Sequence, residues 1–328
     1  MTQRKIRRVM VAPDMLSELR TTFAPLVERG IDVVHNHDIY PMNAEQLALW
    51  LGDADAAIIG LDEVTEAVFE ACPNLWIVAR NGVGMDNVDI PAANAHNVII
   101  TAPFGANSTS VAELALGLLI TLVRHVVPVH NDAQAGNWYR LQGMELAGKT
   151  LGIIGLGRIG KKVARRAQAF NMRVIANDIA PDGYYSREHQ IPMMAFDEVL
   201  SQVDVLSLHV PLTPLTRHMI NRDSLGKMKR GSYLINTARG GVVDSQALSE
   251  ALDSGHIMGA ALDVHPEEGV VEDCLLNRAN VITTTHLGAY TRDSLQLTAE
   301  MAVQSIVDIF DGKRPAGLIN SEIWENRQ

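Results

Sequence analysis

Cysteine is nearly absent from this chain: Cys72 and Cys274 are the only two in 328 residues, and no CxxC spacing occurs. That excludes a disulfide framework and leaves a zinc site without a ligand pattern. Positive charge is also scarce. Against 38 Asp+Glu stand 28 Lys+Arg, a formal net charge of −10 with no basic stripe to offset it. No nucleic-acid partner and no anionic membrane surface is therefore expected. Long apolar runs are missing as well, since the longest, Leu114 to Val123, is cut short by Arg124 and cannot span a bilayer. The basic start Met1-Thr-Gln-Arg-Lys-Ile-Arg-Arg8 runs into a strand-like segment without the apolar core of a signal peptide, so a cytoplasmic protein is expected. No segment is low-complexity.

What is present is globular and suits about two domains by length. Near the middle lies Thr150-Leu-Gly-Ile-Ile-Gly-Leu-Gly-Arg-Ile-Gly160, a short apolar run followed by Gly155, Gly157 and Gly160. Helical spacing follows at Val163, Ala167 and Phe170, and the next apolar run, from Arg173, ends at Asp178. Gly155 permits a tight strand-to-helix turn, Gly157 lets a pyrophosphate approach the backbone, and Gly160 lets helix and strand pack closely. The helix N-terminus offers free N–H groups to the phosphates. Asp178 is placed to accept hydrogen bonds from the adenosine ribose hydroxyls. A lone glycine pattern is weak, but strand, glycines, helix, strand and acid in this order point to NAD.

Apolar runs alternate with helix-like segments in two blocks. The first has runs at 8–12, 31–34, 56–61, 76–79 and 98–101; after Gly155 come 173–178, 203–210, 232–238, 258–264 and 281–286. Such alternation means βαβ units and a parallel sheet in each block, hence an α/β fold. Ser110-Val-Ala-Glu113 reads as a capping box opening a helix that is apolar on nearly every side. Burial between domains, against a second subunit, or in an ordinary core all fit it. Pro103 to Asn107 reads as a crossover, and a helix-like tail from about Arg292 to Phe310 is expected to return partly to the first domain. Two chain crossings would then form a hinge.

Open α/β sheets place their sites at the carboxyl ends of the strands. Three charged candidates fall there: Arg239 before Gly240-Gly241, the pair Glu267 and Glu268, and His286. A guanidinium can hold a carboxylate bidentately. An imidazole backed by a carboxylate suits proton exchange with a hydroxyl or carbonyl oxygen. His35-Asn-His37-Asp38 imitates a metal site but is expected to be a surface loop, so no metal is assigned. Lys161, Lys162, Arg165 and Arg166 read as a solvated helix face. Trp138 and Tyr139 read as an anchor reaching across a dimer partner.

The chain resembles the D-isomer-specific 2-hydroxyacid dehydrogenase family, in particular its phosphoglycerate dehydrogenase-like branch without a regulatory domain. The resemblance rests on Asn81-Gly-Val-Gly-Met-Asp-Asn-Val-Asp89, the segment Ala102 to Glu113, the glycine motif from Gly148 to Gly160, Leu208-His-Val-Pro-Leu-Thr213, Asn236-Thr-Ala-Arg-Gly-Gly-Val-Val-Asp244, Ala261-Leu-Asp-Val-His-Pro-Glu-Glu268 and His286-Leu-Gly288. It implies two Rossmann/flavodoxin-like parallel-sheet domains. A flavodoxin-like substrate domain (1–103 plus 292–328) would be discontinuous, with the NAD-binding Rossmann domain (104–291) inserted into it. By the same likeness Arg239 binds the substrate carboxylate and carbonyl, His286 is the acid/base, and Glu268 is the carboxylate behind it. Arg158 and Ile159 would meet the pyrophosphate; His209, Val210 and Pro211 would flank the adenine, with Thr216 nearby. Asp263, Thr237 and Ala238 would line the nicotinamide side together with Gly288, and the Gly82-Val83-Gly84 backbone would complete the carboxylate site. The implied partners are a small 2-hydroxy or 2-keto acid and a second copy of the chain in a homodimer.

The chain departs from the pattern at several places. Members acting on phosphoglycerate often carry an Arg-Ser pair where this chain has Ile58-Ile59-Gly60-Leu61, so an arginine for a substrate phosphate is missing. Thr285 stands where Pro is common, Tyr290 where a small residue is usual, and His265-Pro266 alter the segment before Glu268. The implied activity is NAD-dependent reduction of a 2-keto acid or oxidation of a D-2-hydroxy acid. The alternatives are a corepressor-like NAD(H) sensor without turnover and a formate- or phosphite-type dehydrogenase.

Overall fold

The computed structural model describes residues 5–326, so Met1 to Arg4 of the basic start lie outside the described residues. The chain forms two compact units, Met1–Asn107 with Thr291–Gln328, and Ser108–Tyr290.

The first unit is built on five parallel strands: β1 (Arg8–Val11), β2 (Asp32–His35), β3 (Ala56–Ile59), β4 (Ile77–Arg80) and β5 (Ile99–Thr101). Their order is β2-β1-β3-β4-β5. Alternate residues feed opposite faces, as a period of two requires. Val9, Val11, Ile58, Ile77 and Ile99 enter the core on one face, while Met10, Ala57, Ile59, Val78 and Ile100 enter the core on the other. Burial on both faces explains why these strands read as continuous apolar runs. The helix Arg292–Phe310 packs Ala299, Ala302, Val303 and Ile306 into the first of these cores. The segment after it lies along β5, with Ala102 N–H on the Gly317 carbonyl (2.8 Å) and Ile319 N–H on the Ile100 carbonyl (2.9 Å). An edge that would otherwise present unpaired backbone groups is thereby covered.

The second unit has six parallel strands: β6 (Thr150–Ile154), β7 (Arg173–Asn177), β8 (Val205–Leu208), β9 (Ser232–Asn236), β10 (Ile257–Leu262) and β11 (Val281–Thr283), in the order β11-β10-β9-β8-β6-β7. The strand order reverses between β6 and β8, and such a switch point is where open α/β sheets bind ligands beyond the carboxyl ends of their strands.

Two sequence expectations are corrected here. The apolar helix runs Ser108–Val123, starting two residues before Ser110, so Ser110 and Glu113 are not its capping box. Glu113 instead pairs with Arg166 (2.7 Å) on the glycine-loop helix. This helix also buries Val111, Ala112, Ala115, Leu116, Leu118, Leu119, Leu122 and Val123, and packs against that same helix and strands β9 and β10. Its apolar surface is core of its own unit, which is what its all-round hydrophobicity required. Among the described residues no single helix is long and apolar enough to cross a membrane. The His35–Asp38 segment is not simply a surface loop, because Asn36 is buried and donates to the carbonyls of Ala12 and Ile39.

Asn320 ties the returning segment to the first sheet. It is 2% exposed, accepts from Ile100 N–H (2.9 Å), and donates to Val98 O and Asn94 Oδ1 (both 2.8 Å). Asn320→Ala strands a buried N–H and a buried carbonyl at about 1–3 kcal/mol each. We expect a lower urea midpoint by circular dichroism, and an unchanged midpoint contradicts this role.

Candidate active site

In the second unit the glycine motif follows β6. Gly155 has φ +93°, and a Cβ there would lie 2.5 Å from the His209 carbonyl oxygen, so only glycine lets the loops after β6 and β8 approach this closely. At Gly160 a Cβ would lie 2.2 Å from the Gly155 carbonyl oxygen, which fixes how tightly the helix Arg158–Ala169 returns to the strand. Gly157 has no atom within 4 Å of its Cβ position, and no side chain caps the helix it opens. The first-turn N–H groups beside Arg158 and Ile159 therefore face open space. That is the shape and polarity a pyrophosphate needs.

Asp178 follows β7 and is held on both oxygens: Oδ2 accepts from Leu156 N–H (2.7 Å) and Oδ1 from Ala180 N–H (2.8 Å). The first bond locks the acid to the glycine loop. After β8, the His209 ring is turned to Ser207 Oγ (2.9 Å), and burial pushes its pKa down to about 4, so it is neutral. Thr216 is a staple of the same loop, its hydroxyl donating to Pro211 O (2.6 Å) and accepting from Thr213 N–H (2.8 Å).

The charged candidates come from three adjacent strand ends. Asn236, the last residue of β9, shapes the turn Thr237-Ala238-Arg239 by accepting from Ala238 N–H (3.0 Å) and donating to Arg239 O (2.9 Å). Arg239 in turn donates Nη1–H to Ala238 O (2.7 Å). Thr237 is buried, and its hydroxyl oxygen has no partner. Asp263, just beyond β10 and 1% exposed, accepts from Thr284 Oγ1 (2.5 Å), Leu287 N–H (2.8 Å) and Gly288 N–H (2.8 Å). Its own carbonyl accepts from His286 N–H (2.8 Å). These four bonds hold His286 at φ +58°, a left-handed conformation that needs such support in a residue other than glycine.

His286 Nδ1 meets Glu268 Oε1 at 2.6 Å, with side chains 27% and 52% exposed. The bond from His286 holds the Glu268 carboxyl below its usual range against the opposing effect of burial, and the charges of His286, Arg239 and His265 add to the lowering. Glu267 makes no such contact; it bridges to Val270 in the turn.

The first unit has its own loop at the carboxyl end of β4, Asn81 to Gly84. Arg80, 4% exposed, donates Nε–H and Nη2–H to the Gly84 carbonyl (3.0 and 2.7 Å) and so curls the Gly82-Val83-Gly84 backbone. Arg80, Asn236 and Thr284 were not singled out from the sequence. A charged residue closing an apolar strand was the available signal for Arg80; the other two act through contacts that spacing does not reveal.

The chain matches the model of the D-isomer specific 2-hydroxyacid dehydrogenase NAD binding domain over residues 116–288. It is 38% identical over 306 residues to a glyoxylate reductase of Thermofilum pendens, covering 90% of each chain. The chain belongs to this family. It is an NAD-dependent oxidoreductase acting on a CH–OH group. It is also 39% identical to the D-3-phosphoglycerate dehydrogenase of Bacillus subtilis, spanning 95% of this chain but only 59% of that relative. Among solved structures, the Aquifex aeolicus D-lactate dehydrogenase complexed with NAD and lactic acid has TM-score 0.79 at 28% identity, covering 97% of this chain and 98% of that one.

The carboxylate of Asp178, fixed in this place, would oppose a second phosphate on a ribose bound there, and Ile179-Ala-Pro-Asp182 supplies no cation beside it. NAD should be preferred over NADP by at least about tenfold in kcat/KM, roughly 1.4 kcal/mol. Asp178→Asn keeps an acceptor for the loop, removes the charge and narrows that gap. Equal kcat/KM for the two cofactors in the parent would contradict the assignment.

Proposed function

We propose that the enzyme reduces a small, unphosphorylated 2-keto acid to the D-2-hydroxy acid, with Arg239, Glu268 and His286 as the working residues. The 2.6 Å pairing of His286 Nδ1 with Glu268, on a loop fixed by Asp263, is the observation that carries this reading. NAD, when bound, supplies the hydride chemistry. Gly155, Gly157, Arg158, Ile159, Gly160 and Asp178 would hold its phosphates and ribose, and Thr237, Ala238, Asp263 and Gly288 its other end. With Nδ1 engaged, His286 Nε2 is the nitrogen that gives a proton to the substrate oxygen during reduction and takes it back during oxidation. Arg239 offers a planar fork to the substrate carboxylate.

The absence of an arginine in Ile58-Ile59-Gly60-Leu61 supports a substrate without a phosphate, and the glyoxylate reductase likeness over nearly the full chain agrees. A panel of 2-keto acids with NADH tests this directly: highest kcat/KM on a phosphorylated keto acid would overturn it.

His286→Ala should lower kcat by about 10²–10⁴-fold while NADH still binds. Arg239→Lys should raise KM and lower kcat together, because a point charge cannot reproduce a fork. For Glu268 the sign follows from its lowered pKa: it stays ionised as pH falls through the ordinary carboxylate range, and an anion favours the imidazolium that reduction consumes. Glu268→Gln removes that preference, so reduction should fail at a lower pH than in the parent. A profile moved by Glu267→Gln and not by Glu268→Gln would reverse the assignment.

We also propose a homodimer. The helix Val126–Gln134 buries no residue in its own chain, and the segment after it leaves Trp138 at 88% and Tyr139 at 60% exposure. Aromatic surface of this kind is what interfaces cover. Light scattering at micromolar concentration should give a dimer, and Trp138→Ala with Tyr139→Ala should shift it toward monomer; a monomeric parent removes the proposal.

A further inference from the structure

Beside the pair of His286 and Glu268 lies a second histidine–glutamate contact that the proposed chemistry does not use. The His265 side chain is 8% exposed. Its Nδ1 faces Glu272 Oε2 and its Nε2 faces the Thr284 carbonyl, each at 3.3 Å. Glu272 is anchored at its other oxygen by the Ser245 hydroxyl. Both groups facing the ring are acceptors, so a ring N–H at either nitrogen finds a partner. The other charges around it are Glu268, whose carboxyl responds to the His265 charge, and Arg239, which acts on that same carboxyl. The turn at Gly240 packs closely on the His265 backbone, since a Cβ on Gly240 would lie 2.0 Å from the His265 carbonyl carbon.

The placement matters because of what each contact holds. Glu272 lies beyond the turn that carries Glu268, and Thr284 lies two residues before His286. One ring therefore fastens the base of the Glu268 loop to the strand end that presents His286. Resting on the assignment of the catalytic pair above, we propose that His265 is a positioning residue: a buried clamp that sets the distance between Glu268 and His286 without touching substrate.

His265→Phe keeps a ring of similar size and removes both ring nitrogens. The measurement is kcat and KM for keto-acid reduction in four proteins: the parent, His265→Phe, Glu268→Gln and the double variant, with thermal melting as a control for folding. If His265 acts through the pair, His265→Phe lowers kcat about three- to thirtyfold, leaves KM for NADH unchanged, and has less than a twofold effect once Glu268 is already Gln. An equal loss in both backgrounds, or no loss in the parent, overturns the proposal. Should Glu268→Gln and His286→Ala themselves leave activity intact, the catalytic assignment fails instead, and the single variants reveal that on their own. Should His265→Phe not fold, Glu272→Gln is the second variant, and its kcat loss must likewise vanish in the Glu268→Gln background.

Discussion

A buried carboxylate that accepts three hydrogen bonds organises the end of the second sheet that carries His286. Asp263 is 1% exposed, and an uncompensated charge at such depth would be costly. Thr284, Leu287 and Gly288 satisfy it, and all three belong to the segment around His286. The sheet fixes Asp263 through the bond from its N–H to the Asn236 carbonyl (2.9 Å), which links the end of β10 to the end of β9. Rigidity thus passes from β9 to β10 and on to the histidine loop by hydrogen bonds alone. The geometry is built into the strand ends before any ligand arrives, which is what acid–base chemistry demands of its groups.

The strands were legible because parallel strands buried on both faces are continuous apolar runs, and each expected run overlaps an observed strand whose ends differ by one to three residues. Val203 and His209, for example, flank β8 without joining it. The start of the apolar helix was misread because Ser108, Thr109 and Ser110 offer successive hydroxyls, and local chemistry alone does not choose among them. Its burial was left open for a related reason: hydrophobicity tells that a helix is covered but not by what.

At the site, residue identities were readable from motif and resemblance, whereas the contacts that hold them were not. The family resemblance selected Glu268 over Glu267, and the contact with His286 falls on Glu268. The fork of Arg80 on Gly84 and the amide of Asn236 in its turn connect positions only three or four residues apart, yet they depend on how a strand ends. The bonds of Thr284 to Asp263 and of His265 to Glu272 and Thr284 depend on the register of β10 against β11. His209 shows the opposite case, a residue expected to border the cofactor whose ring turns back to Ser207.

Because the first unit takes its last helix and edge segment from residues 292 onward, its assembly and that of the second unit are not synchronous on the ribosome. Residues 108–290 are contiguous and have all their own partners as soon as they emerge. The first sheet, made earlier, has one face bearing Ile58, Ile77 and Ile99 that Leu16, Phe23 and Leu26 cover only in part until Ala299, Val303 and Ile306 arrive. At about 5–20 residues per second that wait lasts on the order of ten seconds or more. The nascent chain therefore carries a sticky, half-built sheet through most of its synthesis, and chaperone dependence should concentrate on the part made first.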